Sequence, residues 1–392
     1  MINIKEPKDC CGCNACAQRC PKHCINLQED HEGFLYPKVD INLCIECGLC
    51  EKVCPVINQS IKKEPLQVFA AINPDEKVRM ESSSGGIFTL LAEKVIQENG
   101  VVFGARFDEN WEVKHDYAET IEGLAAFRGS KYVQSRVEDN YLKAERFLKK
   151  GRKVLFSGTP CQIAGLKKFL RKEYDNLLTV DFICHGVPSP KVWRMYLDEI
   201  CKNYINQGDR KSCIKAINFR NKSLGWKKYS FFFKLNPTFI RQKNKPIEHL
   251  ELFYKNSFMK GFLNDLILRP SCYHCPSKSG KSESDITIAD FWGIESLSPN
   301  MDDDKGTSLV FINTDSAKLI YERLSIHNKS MSYKDVLPYN KGLKPILNIP
   351  PKRSVFFSHL EKKKSICLLI EETIIPSFIQ RIKQRIKNTL KI

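Results

Sequence analysis

The sequence predicts a multidomain protein of mixed α+β and α/β class. A small cysteine-rich domain precedes an α/β domain that has a mostly parallel sheet and an added antiparallel part. Three observations predict this. Ten of the 17 cysteines of the 392-residue chain fall within residues 10–54. From residue 66 onward, short apolar strand patterns alternate with helical patterns, as in βαβ units. Around residues 219–235, apolar side chains recur with a period of two, which indicates antiparallel strands.

The first 60 residues contain the same cysteine motif twice. The spacing C-x2-C-x2-C-x3-C-P is formed first by Cys10, Cys13, Cys16 and Cys20, and then by Cys44, Cys47, Cys50 and Cys54. This spacing is typical of bacterial two-cluster ferredoxins, in which the fourth cysteine of each motif ligates the other cluster. We therefore predict a bacterial-type two-cluster ferredoxin fold with two 4Fe-4S clusters. Their ligands would be Cys10, Cys13, Cys16 and Cys54 in one case and Cys44, Cys47, Cys50 and Cys20 in the other.

Two points qualify the cysteine count in this domain. Zinc is the alternative to iron–sulfur clusters, because soft thiolates also bind zinc. Cys11 and Cys24 lie outside the repeated motif, and we expect them to be bystanders.

The rest of the chain divides into residues 66–150, residues 151–335 and a tail of residues 336–392. Strands are predicted at residues 66–72, 101–107, 153–156 and 177–183, and helices at residues 87–99, 137–150 and 161–170. Cys161 would begin a helix directly after one strand, and Cys184 would end the next strand. Both would lie at the C-terminal edge of a parallel sheet, where ligands bind. The helix N-terminus would also lower the pKa of Cys161.

Composition excludes several classes of protein. The chain has neither a run of eighteen apolar residues nor an apolar signal region, so we expect a cytoplasmic protein. Clustered cysteines in a cytosolic chain favour metal sites over disulfides. The net charge of +17 is concentrated in residues 201–260 and 351–392, and such patches attract phosphates, acidic proteins, nucleic acid or anionic lipid. Glycine-rich dinucleotide and P-loop motifs are missing from the sequence, and we expect no nucleic-acid partner.

The last residues of the tail have a helical pattern of their own. Residues 377–392 place apolar side chains on one predicted helical face and basic side chains on the rest. A basic amphipathic helix can lie on an anionic membrane surface, which would make the protein peripherally membrane-bound. Packing of this helix on its own domain or on a partner is the alternative.

Several segments after the cysteine motifs carry a family resemblance. They are SSSGG at residues 82–86, GSKYVQS at 129–135, SGTPCQ at 157–162, CHGVPSP at 184–190, CYHC at 272–275 and DITIADFWG at 285–293. Together, in this order, they resemble the beta-subunit family of coenzyme F420 hydrogenases and dehydrogenases. The resemblance covers about residues 1–330. It implies an FAD-binding domain with a further 4Fe-4S cluster, which moves electrons between ferredoxin-type clusters and a hydride carrier. Similar members with a fused ferredoxin module are often associated with polysaccharide biosynthesis.

The resemblance also implies a third 4Fe-4S cluster, with Cys161, Cys184, Cys272 and Cys275 as its ligands. The alternative is that these cysteines are buried as small apolar residues, which is common. Three other cysteines have no such support and are expected to be structural: Cys201, Cys213 and Cys367.

For FAD, the resemblance points to two loops at helix starts and to residues around them. Hydroxyls and backbone N–H groups for phosphate would come from Ser82, Ser83, Ser84, Gly85 and Gly86, and from Gly158 and Thr159. Ordinary N-capping is the alternative at both loops. The residues expected to position the flavin or border its site are Ser130, Lys131, Tyr132, Asp290 and Trp292. Asp285 is expected to cap a strand.

His185 is the candidate catalytic residue, as a proton donor whose pKa is normally near neutrality. A purely structural histidine is the alternative.

These features predict a flavin-dependent iron–sulfur oxidoreductase. It would pass electrons between ferredoxin-type clusters, FAD and a hydride-accepting or organic substrate, as in coenzyme F420 reductases and dehydrogenases. The expected partners are a ferredoxin-like donor or acceptor and a small-molecule substrate. One alternative is a non-catalytic electron-transfer component of a larger redox complex, and another is a regulatory or scaffold protein.

Overall fold

The computed structural model describes residues 1–61, 64–204, 210–236, 248–278, 282–343 and 347–375. The helix predicted at residues 377–392 lies outside the described residues. The strands are β1 (Ile25–Glu29), β2 (Leu35–Val39), β3 (Gln67–Ile72), β4 (Val101–Phe107), β5 (Val113–Ala118), β6 (Val154–Ser157), β7 (Leu177–Phe182), β8 (Ile214–Asn221), β9 (Ser230–Leu235), β10 (Glu248–Leu252), β11 (Ile286–Asp290), β12 (Ser308–Ile312) and β13 (His327–Ser330).

The α-helices are α1 (Ala15–Arg19), α2 (Leu49–Lys52), α3 (Glu76–Glu81), α4 (Ile87–Gln97), α5 (Asn140–Lys149), α6 (Pro160–Leu170), α7 (Pro190–Tyr204), α8 (Arg210–Cys213), α9 (Ser257–Leu263), α10 (Ile294–Leu297), α11 (Asp315–Tyr321), α12 (Tyr333–Val336), α13 (Arg353–Ser358) and α14 (Ile366–Ile374). Short 3-10 helices include Glu122–Phe127 and Pro270–His274. The strands and helices predicted between residues 66 and 183 all form, with ends that differ by at most a few residues.

A mixed sheet of eight strands is the centre of the larger domain. Its strand order is β13-β3-β12-β11-β7-β6-β4-β5. The middle strands β11, β7, β6 and β4 are parallel to one another, as the βαβ pattern predicted. Antiparallel strands extend the sheet at both sides, through β12 on one side and β5 on the other. Because β6 and β7 are parallel neighbours, the chain leaves both at the same edge of the sheet.

Alternation along the strands divides the core between the two faces of this sheet. Phe103 and Phe156 stack at 5.3 Å and face α5 and α6. Leu155 and its neighbours Val102 and Val180 face α4 and α11 on the other side. All five side chains are buried. Burial on both faces is what makes the central strands read as continuous apolar runs.

A second core lies on the antiparallel sheet of β8, β9 and β10. The predicted alternation is confirmed there, because Phe231, Phe233 and Leu235 of β9 are all buried. They pack with α7, α9, α13 and α14 in one apolar cluster. Cys201 and Cys213 are buried in this cluster, and Cys367 packs against it, as expected for structural cysteines.

The N-terminal domain packs directly on the larger one. Its hairpin of β1 and β2 is antiparallel, and its helix α1 lies against α5 and α6. Gly165 of α6 allows the closest approach, because a Cβ at this position would lie 2.9 Å from the Cys13 sulfur. Among the described helices, none is long and apolar enough to cross a membrane.

Candidate metal and cofactor centre

The cysteines of the N-terminal domain line two separate cavities. One cavity is bordered by Cys10, Cys13, Cys16 and Cys54. The other is bordered by Cys20, Cys44, Cys47 and Cys50. The fourth cysteine of each motif therefore lies with the first three of the other motif, which is the crossover that the spacing predicts. We call these groups the inner site, which faces the larger domain, and the outer site.

Tight turns bring the inner and outer thiols together. The helices that follow the cysteine loops begin after residues in the left-handed region, Asn14 before α1 and Gly48 before α2. At the outer site, the backbone N–H of Ile2 donates to the Cys50 sulfur at 3.2 Å. At the inner site, burial and the nearby thiols of Cys10 and Cys54 raise the pKa of Cys16 to about 12. Iron binding would have to displace such protons, because the thiolate is the ligand.

A third cavity, of about 270 Å³, lies at the C-terminal edge of the large sheet. Its cysteines are Cys161, Cys184, Cys272 and Cys275. Cys161 follows β6 in the first turn of α6, Cys184 follows β7, and the other two lie on and just after the 3-10 helix Pro270–His274. The structure thus brings together all four cysteines that the resemblance implied. We call this group the third site.

The pKa expected for Cys161 is corrected by the structure. The α6 N-terminus was predicted to lower this pKa, but the hydrogen bond with Cys11 and burial raise it well above its usual value. At Cys272, burial is the main cause of a pKa raised to about 12, which the hydrogen bond from the Val187 N–H at 3.4 Å opposes. The third site therefore keeps protonated thiols until a metal replaces the protons.

Cys11 lies between the inner and third sites. It borders both cavities, and its thiol is hydrogen-bonded to those of Cys13 and Cys161. Cys24 lies beside the outer site, with its sulfur 3.3 Å from that of Cys20. Both residues are thus neighbours of the predicted ligands. Among the described residues, no three His, Cys, Asp or Glu side chains converge on the position of a single metal ion.

Much of the first predicted phosphate loop is occupied by contacts within the fold. Ser82 donates to the Val78 carbonyl at 2.7 Å, and Ser84 donates to the Thr307 carbonyl at 2.8 Å. A Cβ on Gly85 would lie 2.4 Å from the Ala71 carbonyl oxygen, so this glycine serves close packing. Gly86 is the left-handed N-cap residue of α4. These contacts match the capping and packing alternative for four of the five residues.

Ser83 differs from the rest of this loop. Its hydroxyl oxygen accepts from the Ser130 backbone N–H at 2.6 Å, and its side chain also contacts the Ser130 hydroxyl at 2.9 Å. Two of the segments that carried the resemblance are therefore in direct contact.

Lys131 and Tyr132 continue from Ser130 into the protein. The Lys131 amine donates to the carbonyls of Arg128 and Gly129, both at 3.1 Å, and burial lowers its pKa to about 7. This is a structural role within its own loop. Tyr132 is stacked on Phe262 at 4.7 Å, and burial raises its pKa.

A buried arginine, which the sequence analysis did not single out, lies beside these residues. Arg220 of β8 is paired with Asp290 at 3.0 Å and lies over the Tyr229 ring at 3.9 Å. Its charge also acts on the Tyr132 hydroxyl. The Arg220 Nε is buried without a hydrogen-bond partner. Asp290 also accepts from the Trp226 indole at 3.1 Å, and Trp226 stacks on Trp292 at 5.0 Å.

Lys222, two residues further on, was missed as well. Its amine donates to the carbonyls of Arg79 at 2.6 Å and Ser84 at 3.1 Å, and thereby fixes the serine loop. The available sequence signal was a pair of basic residues at i and i+2 at the end of a strand.

The second predicted phosphate loop belongs to the third site. Thr159 caps α6 in a capping box with Gln162, and its hydroxyl lies 3.2 Å from the Cys161 sulfur. Gly158 precedes it, with its N–H bonded to the Val180 carbonyl at 3.1 Å. N-capping, the alternative interpretation, is what this turn does. Asp285 accepts from the Thr179 N–H at 2.7 Å and is structural, as expected.

His185 lies between the third site and Tyr132. It follows Cys184, and its ring contacts Phe262 edge-on at 5.0 Å, on which Tyr132 also stacks. Its Nε2 lies 2.7 Å from the Asp265 carboxylate, although the two atoms do not complete a hydrogen bond. The side chain is 30% exposed. The position thus permits proton exchange with solvent but is fixed on one side by Asp265.

Comparison with known proteins covers both halves of this arrangement. Residues 151–335 match the family described as the C terminus of the coenzyme F420 hydrogenase/dehydrogenase beta subunit, and residues 9–58 match the 4Fe-4S dicluster domain. The F-type component of the F420H2 dehydrogenase of Methanosarcina mazei is 24% identical over 186 residues, which are 45% of this chain and 53% of that protein. The coenzyme F420-dependent sulfite reductase of Methanocaldococcus jannaschii is 29% identical over 43% of this chain and 26% of that protein.

Two further matches concern the N-terminal domain and the fold. A 7Fe ferredoxin of Hydrogenibacillus schlegelii is 44% identical over 55 residues, which are 14% of this chain and 62% of that protein. A polypeptide of the F420-reducing NiFe hydrogenase complex from Methanosarcina barkeri has a TM-score of 0.44 at 19% identity, over 80% of this chain and 92% of that polypeptide. The chain spans from about a quarter to three fifths of the length of the curated relatives named here. It belongs to the coenzyme F420 hydrogenase/dehydrogenase beta-subunit family of iron–sulfur oxidoreductases and electron-transfer proteins, with a 4Fe-4S dicluster domain at residues 9–58.

Proposed function

We propose that this protein is a flavin-dependent iron–sulfur oxidoreductase that holds three 4Fe-4S clusters and FAD, and that it exchanges electrons with coenzyme F420 or a similar hydride carrier. The observation that carries the proposal is the arrangement of twelve cysteines around three cavities, two of which share Cys11 as a lining residue. When bound, the clusters would exchange single electrons and FAD would couple them to hydride transfer.

The chemistry of the donor sets supports iron–sulfur clusters at these cavities. Each cavity offers four thiols, and cubic clusters need four thiolates that approach from different directions. The inner site would use Cys10, Cys13, Cys16 and Cys54, the outer site Cys20, Cys44, Cys47 and Cys50, and the third site Cys161, Cys184, Cys272 and Cys275. Backbone N–H groups of Ile2 and Val187 donate to ligand sulfurs at the outer and third sites. Such hydrogen bonds to sulfur tune cluster potentials.

FAD would bind around Ser83, Ser130, Tyr132, Arg220 and Asp290. A buried donor without a partner costs free energy until an acceptor is supplied, and the Arg220 Nε is such a donor. FAD has acceptors in its phosphates and in its ring carbonyls. The Ser83–Ser130 contact would hold the two loops in register beside it. His185, across the Phe262 ring from Tyr132, would then be the proton donor nearest to both FAD and the third site.

The flavin site is tested by exchanging Arg220 and a matched control. We expect Arg220→Gln to weaken FAD binding at least about tenfold, because a charged hydrogen bond contributes about 1.5–3 kcal/mol. Arg353→Gln should leave FAD affinity unchanged, although Arg353 is also a buried arginine paired with a carboxylate, that of Glu32. Anaerobic titration of cluster-loaded protein with FAD measures both affinities. Wild-type protein that binds no FAD would exclude the flavin proposal, and equal losses in the two variants would exclude this placement.

The alternative function, a non-catalytic electron-transfer component of a redox complex, is favoured by one feature of the outer site. Cys47 is exposed, and three large apolar side chains near it are 56–69% exposed: Ile41, Leu43 and Ile45. Such a surface suits contact with a redox partner. The two functions differ in one measurement. FAD-loaded, reduced protein that bleaches coenzyme F420 without any other protein is an enzyme, whereas an electron-transfer component would be reoxidised only by a protein acceptor.

A further inference from the structure

Arg269 is a fully buried arginine that joins the N-terminal domain to the larger one. Its relative exposure is 0%. It precedes the 3-10 helix that carries Cys272. Its Nε donates to the Cys10 carbonyl at 2.8 Å, and its Nη2 donates to the Leu35 carbonyl at 3.0 Å. The remaining donor group, Nη1, bonds to the Gln134 side-chain oxygen at 3.0 Å. The guanidinium thus lies between the inner site and the third site.

The partners of Arg269 leave its charge uncompensated. The hydrogen-bond acceptors are neutral oxygens, and the Tyr36 ring lies 4.3 Å away. Among the described residues, no carboxylate forms a salt bridge with Arg269, whereas the buried Arg220 and Arg353 each have one. Arginine cannot lose its proton in a protein, and a buried charge is normally paired or bound to a metal centre. An anion must therefore be supplied from the surroundings.

The titratable groups on which this charge acts include three thiols of the two sites. They are Cys10 and Cys11 on the inner side and Cys272 on the other. Four thiolates and a 4Fe-4S core carry a net negative charge, and reduction by one electron adds another. A nearby fixed cation therefore favours the reduced state and raises the reduction potential.

We infer that Arg269 is a shared counterion of the inner and third clusters, which raises the reduction potentials of both and not that of the outer cluster. The inference rests on the proposed function, because it requires iron–sulfur clusters at both sites. Arg269 is a positioning and electrostatic residue rather than a ligand. Its three hydrogen bonds to different segments would also fix the distance between the two clusters.

Two variants separate charge from hydrogen bonding. Arg269→Gln removes the charge but keeps a donor, whereas Arg269→Lys keeps the charge but loses the planar fork. Potentiometric titration followed by electron paramagnetic resonance would measure all three clusters, after iron analysis of each protein. We expect Arg269→Gln to shift the inner and third potentials in the negative direction, and Arg269→Lys to shift them less. The outer potential should not move, and Arg353→Gln, which removes a carboxylate-paired arginine, should move none.

The outcomes distinguish the inference from the proposed function. Wild-type protein without a third cluster would refute the function itself. Three clusters with unchanged potentials in Arg269→Gln, or equal shifts in Arg269→Gln and Arg269→Lys, would overturn the counterion role.

A second measurement applies even if Arg269→Gln takes up iron poorly. An unpaired buried charge stabilises only the cluster-loaded protein. Metal-free Arg269→Gln should therefore unfold at the same or a higher temperature than metal-free wild type. A variant destabilised equally with and without clusters would show a purely structural arginine.

Discussion

Replacing Cys272 and Cys275 together by serine is expected to lower the iron content by one third, from about twelve to about eight atoms per chain. The two cysteines supply half of the ligands of the third site, and serine is a poor ligand for an iron–sulfur cube. The inner and outer clusters should remain, because no ligand of theirs is changed. Reduction of FAD by a one-electron donor should slow strongly, since the third site lies between the inner site and the Tyr132 region.

The matched control for this experiment is Cys11→Ser. Cys11 borders the same cavity and contacts Cys161 but is outside the predicted ligand set. Iron content should stay near twelve atoms in this variant. A loss of four irons with Cys11→Ser and none with the double variant would mean that the ligands of the third site are assigned wrongly.

The second large effect concerns the buried ion pair between Glu32 and Arg353. We expect Arg353→Met to lower the free energy of unfolding by about 3–5 kcal/mol, because it leaves the Glu32 carboxylate buried and unpaired. The two side chains are only 10% and 9% exposed, with Nη1 2.7 Å from Oε1. Arg353 also donates to the Leu268 carbonyl at 2.7 Å and thereby ties the N-terminal domain to the segment before Cys272.

A double-mutant cycle tests this account of the ion pair. Replacing Glu32 by Leu together with Arg353→Met removes both charges, and apolar replacement of a buried pair is often neutral. Anaerobic thermal and denaturant unfolding of the four proteins would give the coupling energy. A double variant as unstable as the sum of the single variants would show that the pair is not coupled.

Local sequence patterns predicted the cysteine groups and the central strands. The repeated spacing of Cys10 and Cys44 with their followers is short-range information, and so is the strand–turn–helix that places Cys161 at the sheet edge. The crossover of Cys20 and Cys54 followed from a general property of two-cluster ferredoxins. Alternation within β9 indicated its antiparallel pairing before any partner strand was known.

Long-range contacts were beyond such patterns. The Arg269 side chain meets the Cys10 carbonyl across 259 positions of sequence, and no local signal joins them. The raised pKa of Cys161 was missed for the same reason, since Cys11 and burial outweigh the helix N-terminus. Lys131 was expected to hold an anion, but it lies against carbonyl groups because its own loop curls around the amine.

The central claim, three 4Fe-4S clusters in one chain, is tested most directly by counting iron and acid-labile sulfide after anaerobic reconstitution. The account predicts about twelve atoms of each per chain. A stable value near eight would remove the third cluster, and near-stoichiometric zinc in freshly isolated protein would contradict the iron–sulfur assignment of all three cysteine groups.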